Sequence, residues 1–282
     1  MPLRTGYERV LAHRTDDLYA KTARADGKVV DVTDKVIKVQ YDDGEAVAYE
    51  LGRRYGNWSG HVVPHALKSA RKKGDVVKQG DPLLYNANFF QVDKLDPTQV
   101  IYKSGVLART ALLESSDTIE DSSAISEALA KQLATTATHV RVVKIAYEQE
   151  VRNLLKVGEA VDVESILCTI ENPAAGRSDF FDEQALETLK LLSSLTPKAK
   201  SEGVIERIEV LYSGELDEMS ESLKLLAERS DAAIYKLHKQ LGKPAVTGKV
   251  AVGFRIDGVP LEQDTVAIKI YITGNVPAGQ GD

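Results

Sequence analysis

Two adjacent carboxylates, Glu120 and Asp121, lie in the stretch TIEDSSAISEAL (118–129), with Ser122 and Ser123 directly behind them. A carboxylate pair at the end of a strand-like run can accept hydrogen bonds from basic partners. It can also approach a hydrated Mg2+ and the phosphates of a nucleotide. The same residues suit a helix start, with acids at the positive end of the dipole, a serine cap, and Glu127 in a later turn. From the residues alone the helix start is preferred, and the metal-and-phosphate reading stays open beside it.

Other chemistry finds little support. A phosphate-binding glycine loop, a dinucleotide glycine fingerprint, paired zinc cysteines and H-E-x-x-H are all absent. The five histidines are scattered, and Pro64 between His61 and His65 argues for a loop rather than one helical metal face. The serine of GNWSG lacks nucleophile-elbow spacing. The single cysteine, Cys168, sits in the apolar run ESILCTI and reads as core filler. One cysteine builds no disulfide framework and fits a reducing compartment, so a cytoplasmic setting is expected.

The elements that must position such residues are mostly strands. The 282 residues are 43% apolar and only 6% aromatic, enough for one large or two ordinary domains with aliphatic cores. A net charge of −6, spread along the chain, counts against a free-standing nucleic-acid binder. No run approaches the roughly 18 apolar residues of a membrane span.

Alternation around Asp42-Asp43-Gly44 predicts a hairpin, and HVRVVKIAYEQEV and TVAIKIYITGN predict further strands. Helices are expected over 124–133, over SDFFDEQALETLKLLSSL (178–195), and over about 216–241. The last carries an apolar stripe that includes Leu223, Leu226 and Leu237, with acids in its first turn, bases in its last, and Gly242 as its stop. A packing face is the first reading of that stripe, and a partner-binding face is the second.

An internal echo indicates architecture. KKGDVVKQGDPLL (72–84) and LKVGEAVDVESIL (155–167) share lysine, glycine, acid, valine, then a turn and a leucine, and SEGVIERIEV supplies a companion Gly-x-Ile at Gly203–Ile205. Gly74 and Gly80 are expected at positive φ, with Val76, Val77, Leu83 and Leu84 buried. Such strings occur in barrel-sandwich hybrid modules, including carrier domains for biotin or lipoate, but the modified-lysine turn of those carriers is absent. The expected fold class is mainly β with α insertions.

Six strings, in order along nearly the whole chain, resemble the central-to-late part of the β subunit of multisubunit DNA-directed RNA polymerase. PLRTGYERVLAHRT is similar to P-L-V-G-T-G-x-E through Thr5, Gly6 and Glu8. DGKVVDVTDKVIKVQYDDGEAVAYEL resembles that family's G-x-V hairpin and Tyr-x-Leu strand, and VKQGDPLL its V-K-K-G-x-x-L. DTIEDSSAISEAL resembles the Asn-Phe-Glu-Asp-Ser motif through Glu120, Asp121, Ser122, Ile125, Ser126 and Glu127. VGEAVDVESILCTIENPAAG and AIKIYITGNVPAGQGD resemble the later Gly-Asp strings, the last matching at Gly281 and Asp282. Thr118 and Ile119 stand where the family has Asn and Phe, and TGNVPAGQ replaces a basic cluster.

The resemblance implies a portion of a β-like subunit, from a split gene or a divergent phage-type enzyme, that is not catalytic alone. It implies a hybrid-binding-like part over 1–140, barrel-sandwich-like strands with a connecting helix over 141–200, and a flap-like module over 201–260. A return strand over 261–282 would lead into a Gly-Asp-Lys turn cut after Asp282. Glu120 and Asp121 become a secondary acidic pair acting indirectly on Mg2+, which would be bound only in the full assembly. Implied partners are a β′-like subunit, the rest of β, DNA template, RNA transcript, and σ-like or elongation factors at the flap. The rival expectation is a non-catalytic scaffold that keeps a β-like fold.

Overall fold

The computed structural model describes residues 6–7, 10, 14–15, 19–58, 61–103, 105–112, 122–172 and 194–279. The chain divides into two compact units, Met1–Ala137 with Asn275–Asp282, and Thr138–Gly274. The segments expected over 141–200 and 201–260 both fall inside the second unit.

In the first unit, β1 (Ala20–Thr22), β2 (Gly27–Val32), β3 (Val36–Tyr41), β4 (Ala46–Glu50), β5 (Gly52–Trp58), β6 (His61–Ser69), β7 (Val76–Val77) and β8 (Pro82–Asn86) follow in order. The expected hairpin is β3–β4, which turns through Gly44 at φ 90°. Antiparallel pairing gives one four-stranded sheet, β4-β3-β2-β7, and a second run in which β6 lies between β5 and β8, with β1 on β8. Alternation along β2 and β3 sends Val29, Ile37, Val39 and Tyr41 inward, where they pack with Val77, Leu67, Leu83 and Leu84. β9 (Phe90–Val92) and β10 (Val100–Tyr102) form a small hairpin, and a six-residue helix, α1 (Glu127–Gln132), buries none of its side chains.

The second unit is a sheet in the order β11-β18-β15, built from β11 (Thr135–Ala146), β15 (Gly203–Ser213) and β18 (Thr265–Val276), with β13 (Ala160–Val161) at the edge of β15. Two-stranded pairings of β12 (Glu150–Arg152) with β14 (Thr169–Glu171), and of β16 (Arg255–Ile256) with β17 (Val259–Pro260), complete it. β-branched residues on alternate positions of β18, among them Val266, Ile268, Ile270 and Ile272, meet Ile205 and Val210 of β15 in an aliphatic core.

The long helix α2 (Glu221–Leu241) covers that core with Leu223 and Ala227. It starts later than the periodicity suggests. Leu216–Glu218 form a single 3-10 turn and Met219 is extended, because Ser220 turns its hydroxyl to the Gln149 carbonyl (2.6 Å) and ties the chain to the loop before β12. Its end is a Schellman turn: Gly242 sits at φ 65°, and the Lys243 amide donates to the His238 carbonyl.

The internal echo is a repeated structural unit. Gly74, Gly80 and Gly158 have φ of 94°, 89° and 96°. In each of these turns, and in a fourth at 162–165 that has no glycine, a side-chain oxygen three residues on accepts from the first backbone amide: Asp75 from Lys72, Asp81 from Lys78, Glu159 from Lys156, and Ser165 from Asp162, at 2.8–3.1 Å. The intervening short strands pair identically, β7 with β2 (Gly27↔Val77) and β13 with β15 (Gly203↔Val161). Gly74 donates to Val29 as Gly158 donates to Ile205, and Ala23 donates to Asp81 as Ala199 donates to Ser165. The partner strand precedes the turns in the first unit and follows them in the second. Val77, Leu83 and Leu84 are buried as expected, but Val76 is 73% exposed, since alternation turns it away from its buried neighbour.

Candidate functional site

Glu120 and Asp121 lie outside the described residues, as do Thr5, Glu8, Gly281 and Asp282. Gly6 is described, in a turn at φ 82°. Just past the acidic pair, Ser122 and Ser126 lead into α1. Ser126 is the N-cap, its hydroxyl accepting from the Leu129 amide at 3.2 Å. Glu127 therefore falls in the first turn rather than a later one, where it meets the positive helix end.

The partner-binding expectation for α2 divides by residue. Leu223 is fully buried and Leu226 packs partly against the same core, so this part of the stripe is spent on the second unit's own interior. Leu237 is half-buried, whereas Leu225 and Tyr235, about half exposed, are what a partner would touch. The helix is held by Asp231, whose carboxylate accepts from the Tyr212 hydroxyl (2.8 Å) and from the Gly248 amide (2.7 Å). Burial, then Asp231, push the Tyr212 phenol up to about 12. Burial, then Asp264, do the same to Tyr147.

His61 and His65 belong to strand β6, not to a loop, because Pro64 is accommodated opposite Tyr55 in the β5–β6 ladder. His65 is buried and spends Nδ1 on the Asn86 amide at 2.7 Å. Burial pushes the Cys168 thiol up to about 11, which removes it as a nucleophile. Among the described residues no group of three or more His, Cys, Asp or Glu could hold a metal ion.

What the first unit does hold is an open groove of about 470 Å3, bounded by the β2–β3 turn, the β4–β5 junction and the end of β6. Leu51 and Leu67 border it but are buried in the core, the Thr33 and Ser69 hydroxyls donate to the Val36 and Arg71 carbonyls, and the cations Arg53 and Lys68 are exposed. Asp34 is its one acid. The β5–β6 register places Arg53 opposite Ala66, two residues from Lys68, so both cations project from one side of the ladder. Whole-chain charge hid this feature. Residues 52–80 contain seven Lys or Arg and a single acid, Asp75, and a windowed charge count finds that run at once.

On the second unit's sheet, Glu209 gathers the Tyr271 hydroxyl (2.8 Å), Arg207 (2.6 Å) and Lys269 (3.6 Å). The register Glu209↔Lys269 and Arg207↔Tyr271 makes this a cross-strand ladder in which one carboxylate serves two cations.

No protein-family model matches this chain, and no curated protein matches it in sequence.

Proposed function

We propose that the chain is a portion of a β-like subunit of a multisubunit DNA-directed RNA polymerase, contributing framework and a flap-like element near the nucleic acid. The observation that carries this reading is collinearity: six short strings in the family's order, from Thr5-Gly6 to Gly281-Asp282. The paired glycine-acid turns support it, since two of the six strings fall on them and adopt one local geometry. On this reading Glu120 and Asp121 assist Mg2+ and the incoming triphosphate from the side, and the primary metal carboxylates belong to a β′-like partner. The Glu221–Leu241 helix takes the place of a flap insertion that meets σ-like or elongation factors, and the setting is a bacterial or phage-infected cytoplasm.

The test is native co-purification from the source cell, followed by promoter-independent transcription with the isolated assembly and with the isolated chain. The expected result is a β′-like subunit in the complex and synthesis by the assembly alone. Robust synthesis by the single chain, or native complexes without a polymerase subunit, would overturn the reading. The second outcome would favour a scaffold, a reading for which the half-exposed Leu225 and Tyr235 on α2 are the relevant surface.

A further inference from the structure

Buried and exposed residues of α2 separate onto opposite sides of the helix. Leu223, Leu226 and Ala227 turn to the core. Arg229, Ala232, Lys236 and Lys239, at steps of three and four, are exposed on the far side. The helix dipole accounts for Lys239 in the last turn, but not for Lys236 or Arg229 further back. None of these three cations makes an ion pair or a side-chain hydrogen bond among the described residues. The nearest acid on that side is Glu228, whose charge acts on Lys224 one turn back, and Asp231 is spent on Tyr212 and Gly248. Beyond it, residues 232–256 include five Lys or Arg and no acid, in a chain of net charge −6. Past Gly242 the chain runs back beside the helix. His238 Nδ1 donates to the Pro244 carbonyl and the Gly248 amide donates to Asp231, each at 2.7 Å. Residues 244–248 therefore follow the side of α2 that carries Asp231, Tyr235 and His238. Val246 falls midway between the two ties, alongside Tyr235, and both are about half exposed. An apolar strip thus borders the cations.

We propose that this surface docks an acidic helical segment of a partner protein. An apolar side chain of the partner would sit between Tyr235 and Val246, and its carboxylates would meet Arg229, Lys236 and Lys239. Arg229 and Lys236 stand about 10.5 Å apart along the axis, and Lys236 and Lys239 about 4.5 Å. Acids seven and three residues apart on a facing helix reproduce those spacings. Acids are favoured in the first turns of a helix, so an antiparallel partner brings its acidic end to the cationic end of α2. A nucleic-acid strand fits less well. Its phosphates recur at regular intervals, whereas these cations are unevenly spaced and Glu228 stands beside Arg229. The inference goes beyond the polymerase reading and does not rest on it, since it uses only the second unit's own surface.

The experiment is fluorescence anisotropy on the full chain with a labelled peptide of about 20 residues, long enough to be helical alone. The peptide carries Glu at the matching spacings and Leu along its apolar edge. The expected result is saturable binding that weakens with salt. The variant R229E/K236E should lose about tenfold or more in affinity, and a peptide with its Glu changed to Lys should recover that loss. Y235A/V246A should lose about fivefold with the salt dependence unchanged. K72E/K78E, in the first unit, controls for net charge and should stay within about twofold. Urea midpoints of all variants report folding independently. Absence of saturation, equal losses in R229E/K236E and K72E/K78E, or equal binding of a scrambled peptide or polyglutamate would each overturn the proposal. Tighter binding of single-stranded DNA of about 12 nucleotides through the same residues would overturn it in favour of nucleic acid. Self-association through α2 in sedimentation of the chain alone would overturn it in favour of a second copy. Native co-purification tests the polymerase reading separately, so either idea can fail without the other.

Discussion

Replacing Asp231 by alanine removes a clamp whose strength follows from its partners. The carboxylate takes one hydrogen bond from the Tyr212 hydroxyl at 2.8 Å and one from the Gly248 amide at 2.7 Å, joining α2 to β15 and to the segment leading into β16. Hydrogen bonds to a charged acceptor contribute about 1.5–3 kcal/mol each, and a buried donor left unmet costs about 1–3 kcal/mol. Tyr212 is only 2% exposed, so water cannot replace the lost acceptor. Gly248 cannot shift to find another, because its backbone lies so close to Val210 that an added Cβ would stand 2.2 Å from that carbonyl oxygen. Discounting for relaxation, D231A is expected to cost about 3 kcal/mol. Y212F removes one donor together with its need, and should cost about 1 kcal/mol. Urea unfolding with a double-mutant cycle measures both, and a coupling of about 1 kcal/mol or more is expected. The clamp argument fails if D231A loses no more than Y212F, or if the two losses simply add.

Leu223→Ala should cost about 3 kcal/mol in the same assay and Leu225→Ala under about 0.5 kcal/mol, because only the former is inside the core; similar values would misplace the helix face. Gly203→Ala should be among the most damaging single changes, since its Cβ would lie 2.5 Å from the Thr273 carbonyl oxygen at φ 155°; near-neutral stability by urea midpoint would contradict that packing. Tyr147 and Tyr212 have phenols raised from 10.0 to about 12, so the stability they contribute is intact below pH 10 and lost as pH climbs towards 12. Tyrosinate absorbance of the wild type compared with Y147F and Y212F should show these two of the eleven phenols ionising only with unfolding, and their ionising near pH 10 in the folded protein would refute this. Cys168 should react with a thiol reagent only at the rate of unfolding; rapid labelling in native buffer would show an accessible sulfur.

Local pattern was legible where a residue's own backbone demands settled the matter. Gly44, Gly74 and Gly80 mark turns because other residues avoid positive φ, and all three sit there. TVAIKIYITGN emerges nearly as written, since β-branched alternation leaves few other solutions, whereas HVRVVKIAYEQEV breaks at a turn after Ala146 and its end belongs to β12. What sequence could not supply was competition between distant groups. The start of α2 is decided by Ser220 bonding to Gln149, and the fate of His65 by Asn86, each pair far apart in the chain. Val76 reads as one more buried valine until strand alternation turns it outward. The acidic pair at Glu120 and Asp121 lies outside the described residues, whereas the groove at Arg53 and Lys68 needs three separate segments to exist.

The four turns share one requirement at their last position, an oxygen able to take an amide hydrogen, and they meet it with Asp75, Asp81, Glu159 and Ser165. Those positions behave as interchangeable parts: side chains of different length and charge do the same job, while Gly74, Gly80 and Gly158 behind three of them are fixed by their φ. Mutational drift can therefore recolour the electrostatics of either unit at these turns without disturbing its frame. Asp75→Ser is a tolerated exchange by this logic and Asp75→Leu is not, whereas Asp81 also pairs with Arg71 and is held to its charge. Charge on this scaffold is free to follow its partners, whereas shape is not.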